Sequence, residues 1–77
     1  MKAGDIWTTR WEHMLHDETP IAEYSKHKYG HQPVGLFVIP ASTTVLVLEV
    51  RHNDVMLLTP KGQGWIESCI LSEGKRL

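Results

Sequence analysis

A single cysteine, Cys69, occurs in the 77 residues of this chain. No disulfide can form within it, which fits a reducing compartment or an assembly that needs no such cross-link. Long apolar runs are missing as well. The stretch at 45–48 is far short of the ~20 residues a membrane-spanning helix needs. The first residues, MKAGDIWTTRWEH, lack the apolar core of a signal peptide, so a soluble protein of the cytoplasm is expected. Charge of one sign is also missing: eight basic residues face nine acidic ones, for a net charge of −1. No global field draws the chain onto nucleic acid or an anionic membrane, and little repulsion opposes self-association. No glycine-rich phosphate loop, paired-carboxylate pattern or nucleophile elbow is present, so the sequence supplies no constellation for an enzyme.

What is present is a domain's worth of β signal. Hydrophobic residues at 42% and charged residues at 22% are ordinary for a folded domain. A chain this short buries only about 60–65% of the surface its unfolded form exposes, so its stability is small. The stretch TTVLVLEVRHNDVMLLTPKGQGWIESCIL, residues 43–71, reads as three strands joined by two tight turns. In the first of them Leu46, Leu48 and Val50 share one face, and Val45, Val47, Glu49 and Arg51 share the other. His52, Asn53 and Asp54 suit a hairpin turn, and residues 60–63 suit a second. Residues 6–9 and 35–39 have the β-branched and aromatic content of two earlier strands. Residues 68–71 are enough for one helical turn, and the polar tail after them is expected to fray.

Between those two earlier strands, residues 10–33 break the β pattern. Thr19 can cap a short helix there, Pro20 fits its first position, and Gly30 and Pro33 can end it. Ile21, Tyr24 and Lys28 would share a face of that helix. The expected fold is therefore mainly β: a five- to six-stranded, partly open barrel in one domain, 1–77. A long helix-bearing loop, 10–33, follows the first strand.

Residues 38–71 resemble the second half of the SH3-like barrels, the bacterial type in particular. In these a glycine or proline turn and a valine-rich strand precede a tight hairpin, a further strand, and a Gly-Trp-Ile corner with a single helical turn. Here that corner is Gly64-Trp65-Ile66-Glu67-Ser68-Cys69-Ile70-Leu71. The opening Met1-Lys2-Ala3-Gly4-Asp5-Ile6 is similar to the start of many short SH3-like proteins encoded by tailed phages. The resemblance implies a small barrel, and a virion or host cytoplasm if the chain is phage-encoded. It does not extend to the groove that docks proline-rich peptides. Val55 and Met56 stand where that groove has a tryptophan pair, Glu67 replaces the corner proline and Ile70 the tyrosine. Without those rings a polyproline helix has no platform.

Four features have chemistry to weigh. His13, His16, His27 and His31 are spaced as two pairs with ten residues between them, close to a zinc-finger interval, and imidazole binds zinc well. Structural zinc sites nearly always include cysteine, though, and Cys69 is distant, so solvated histidines are the plainer expectation. Cys69 itself needs a base and an electropositive setting to be a nucleophile. A small buried residue at the barrel corner is expected instead. The stretch Lys26-His27-Lys28-Tyr29, with Lys75 and Arg76 in the tail, allows a nucleic-acid-binding barrel as an alternative. Acidic neighbours at Asp17, Glu18 and Glu23 argue for a solvated face. Lastly, Trp7, Trp11, Trp65, Tyr24, Tyr29 and Phe37 are more large rings than one small core holds. Trp11, Tyr24, Tyr29 and Trp65 are the candidate contact residues for a protein partner or a second copy, Trp11 foremost.

Overall fold

The computed structural model describes residues 1–17 and 35–77. Seven strands build one antiparallel sheet: β1 (Ile6–Thr8), β2 (His13–His16), β3 (Gly35–Ile39), β4 (Thr44–Arg51), β5 (Asp54–Thr59), β6 (Gly62–Glu67) and β7 (Lys75–Arg76). A single helical turn, α1 (Ser68–Leu71), links the last two strands. The order across the sheet is β3-β2-β6-β5-β4-β1-β7, and the sheet is not closed. The fold is mainly β, as its residues predict. Among the described residues it has seven strands where five or six were expected. The extra ones are β2, which lies inside the supposed loop, and the two-residue β7 in the supposed tail. The expected helix beginning near Thr19 lies outside the described residues.

The central meander β4-β5-β6 follows from side-chain alternation. Val45 and Val47 on β4 and Val55 and Leu57 on β5 are buried to within 1% of complete. Ile66 joins them from β6. The alternate residues Met56 and Leu58 point to the other face, where Leu58 is 40% exposed. On β4 the valine face is therefore the inner one. The register slips between Val47 and Glu49, and this bulge carries the end of the strand out of the core. Val50, Glu49 and Arg51 are exposed accordingly.

Each turn has a local cause. His52 takes a left-handed φ of 55°, which lets a two-residue loop join β4 to β5. The Asn53 carbonyl in that loop accepts a hydrogen bond from Ser68 N, 2.8 Å away, so the hairpin also fixes the start of α1. Thr59 organises the next turn: its hydroxyl donates to Gly62 O at 2.9 Å and accepts from Lys61 N at 3.1 Å. Gly62 follows with φ 132°, a value that only glycine adopts without strain.

Thr9 plays the same part at the end of β1. It is 2% exposed. Its hydroxyl donates to Pro40 O at 3.2 Å and accepts from Thr43 N at 3.0 Å. Its own N–H donates to Thr43 O at 2.9 Å. The chain leaving β1 is thereby fastened to the turn entering β4.

The core joins Leu15 of β2 and Ile39 of β3 to the four meander residues, Ile66 and Leu71. Trp7, Phe37 and Ile70 pack around it. Complete burial of a Leu or Ile side chain stabilises by about 1.5–3 kcal/mol. Leu71, fully buried, thus holds α1 against the sheet although four residues cannot sustain a helix alone. Among the described residues no helix is long and apolar enough to cross a membrane.

Candidate interaction surface

The end of β1 and the stretch after α1 come together to form an open cleft. Thr8 pairs with Lys75 and Trp7 with Arg76, and Leu77 N donates to Ile6 O at 2.8 Å. The contact at Gly74 is closest. A Cβ there would run into the carbonyl oxygen of Thr8, and backbone cannot yield as a side-chain tip can. Gly74 N donates in turn to Leu71 O at 2.9 Å, so the buried Leu71 anchors the approach from the other side. The resulting cleft, about 240 Å³, is lined by Thr8, Thr9, Arg10, Glu73, Gly74 and Lys75.

Trp11 stands beside it, 52% exposed. The Arg10 guanidinium lies 5.0 Å from the centroid of the Trp11 ring, within cation–π range. Arg10 therefore belongs to both features, the ring and the cleft. Neither Arg10 nor Lys75 has an ion-pair partner among the described residues, where the ion pair seen is that of Arg51 with Glu49 at 2.6 Å.

A second cleft of about 170 Å³ opens between β2 and the β6–α1 corner, lined by Glu12, His13, Met14, His16, Ile66, Glu67 and Ile70. His13 and His16 both reach it. Burial lowers the His13 pKa below the usual histidine value, and the nearby Glu73 carboxylate raises it in part. The Nδ1 atom of His16 is buried without a hydrogen-bond partner. Two imidazoles do not make a structural zinc site. Among the described residues no three histidine, cysteine or acidic side chains are placed to share an ion. His27 and His31 lie outside the described residues, as do Tyr24 and Tyr29.

Two expectations change with the geometry. Trp65 is 5% exposed, so its ring has almost no surface to offer a partner. It pairs in register with Met56 on one side and His16 on the other. The Arg51 guanidinium lies 5.1 Å from its centroid, and the ring stands outside the main core cluster. Cys69 is exposed rather than buried, and its thiol meets Glu67 Oε2 at 3.7 Å.

Trp11 was legible in the sequence as a surplus ring. Arg10 was not singled out, although a cation directly before an exposed tryptophan is a visible signal. Its place in one cleft with Lys75, 65 positions away, depends on the β1–β7 ladder, which no local pattern announces. Comparison with family models, with curated proteins and with solved structures finds no match to this chain.

Proposed function

We propose that this chain is a non-enzymatic protein-binding or assembly module built as an SH3-like barrel, working through the surface around Trp11. The observation that carries the reading is the ring itself. A tryptophan half exposed in a chain with so small a core forfeits burial that the fold needs, and tryptophan is the residue most enriched where partners bind. The barrel part of the reading draws on the succession of β4, β5 and β6 followed at once by α1, the order the resemblance implies. The phage part rests on the resemblance of residues 1–6 alone.

Sedimentation at rising concentration, with capture from extracts of the host, tests the reading. Trp11→Ala is expected to weaken self-association or partner binding by about 2 kcal/mol, the usual scale for a contact that dominates an interface. The variant should keep the β spectrum of the parent. A chain that stays monomeric at millimolar concentration and captures nothing overturns the proposal. Zinc through His13, His16, His27 and His31 is settled on the same protein: a melting temperature unmoved by chelator removes it.

A further inference from the structure

We infer that the partner's bound segment presents one carboxylate side chain to the cleft between Arg10 and Lys75, beside an apolar residue that covers Trp11. This inference rests on the binding reading above and specifies its partner. Arg10 and Lys75 both line the cleft, and neither has an ion-pair partner among the described residues. An arginine fork holds a carboxylate through two parallel N–H donors, and a lysine ammonium adds a point charge. With Arg10 already laid along the Trp11 ring, an acid bound there sets its neighbouring residue against indole. The adjacent Arg76 adds positive potential without entering the cleft.

The anions nearby decide which acidic partner fits. Glu73 lines the same cleft, and Glu12 directly follows Trp11. A lone carboxylate needs no partner beyond Arg10 and Lys75. A run of closely spaced charges would meet Glu73 or Glu12 at its next position. Nucleic acid offers such a run, and proteins that hold it line up several cations along its path. Two cations around one pocket, in a chain of net charge −1, suit a protein segment with a single acidic residue.

The experiment titrates the full chain, ¹⁵N-labelled, with three probes: a short acetylated peptide with one glutamate next to one phenylalanine, the same peptide with glutamine for glutamate, and a ten-residue thymidine oligonucleotide. The glutamate peptide should shift the amides of Thr8, Arg10, Trp11, Gly74 and Lys75 together with the Trp11 indole. The glutamine peptide should bind about tenfold more weakly, the scale of one lost hydrogen bond to a charged group. Lys75→Glu and Arg10→Gln should each weaken the glutamate peptide to a similar extent with melting temperatures unchanged, and Glu73→Gln should tighten it. Equal binding of both peptides at Trp11 overturns the inference while sparing the module reading, because the ring would then act alone. No shift with either peptide at millimolar concentration overturns it too. So does an oligonucleotide that binds tightest and is released steeply by salt.

Discussion

His13 keeps a neutral imidazole to lower pH than a free histidine does, because its burial between β2 and the α1 corner removes water from the charged form. Glu73 opposes this by favouring the cation, and Glu12 and Glu67 line the same cleft. The folded-state pKa lies below the unfolded value of about 6.5, so within that window the unfolded chain binds more protons than the folded one. Stability is then intact above about pH 6.5 and declines as pH falls through that value toward the folded pKa. Replacing Glu73 with Gln removes the opposing charge, so the His13 titration followed by NMR should move further down. An unmoved or higher midpoint would show that Glu73 is too well screened to matter. In melting curves between pH 8 and 5, the parent should lose more stability than His13→Gln. Equal losses would place the acid sensitivity elsewhere.

At the scale of elements, the parts that could be read from the chain are those whose causes are local. β4 and β5 alternate buried and exposed residues, and Gly62 and Thr59 write their turn into the sequence. The short α1 was legible for the same reason, since its corner follows β6 directly. β2 was not. His13, Met14, Leu15 and His16 offer one fully buried side chain in four, and what makes them a strand is pairing with β3 on one side and with β6 at Trp65 on the other. Both partners are distant in sequence. Trp65 misled for a related reason: ring content says nothing about whether neighbouring strands will enclose the ring. The β2–β6 junction gives a direct test. A Cβ on Gly64 would lie 2.7 Å from Leu15 Cβ and 3.4 Å from His16 O, so Gly64→Ala must push β2 away from β6. Overpacking of this kind costs about 1–3 kcal/mol, readable as a lower urea midpoint. If β2 is only loosely held there, the midpoint will not move. Leu71→Ala probes the opposite defect, a cavity beneath α1, at about 2–5 kcal/mol. That loss should also disturb the Gly74 and Lys75 amides, because Gly74 hangs on the Leu71 carbonyl.

For the molecule as a whole, a sheet that does not close leaves ends, and among the described residues the end strands are β3 and β7. β7 has two residues, too few to template another strand, whereas β3 has five, with Leu36 48% exposed. Unprotected edges of that length invite pairing between copies, and proteins commonly set a lysine against them. Lys61 does this across the molecule: from the β5–β6 turn its ammonium donates to the Val38 carbonyl of β3 at 2.8 Å. A net charge of −1 adds little general repulsion, so this one cation bears more of the task than it would in a highly charged chain. If the chain self-associates as proposed, two routes are available to it, one through the β3 edge and one through Trp11, and paired substitutions separate them. Lys61→Ala removes an exposed side chain and should alter stability by less than about 0.5 kcal/mol. If the edge is the route, it will raise the fraction of larger species seen by sedimentation and light scattering, and Trp11→Ala will not reverse that rise. If the Trp11 surface is the route, Lys61→Ala will leave the distribution of species as it was and Trp11→Ala will shift it to monomer. The second pattern is expected, because the edge carries its protecting cation in the native chain while half of the Trp11 ring lies open to a partner.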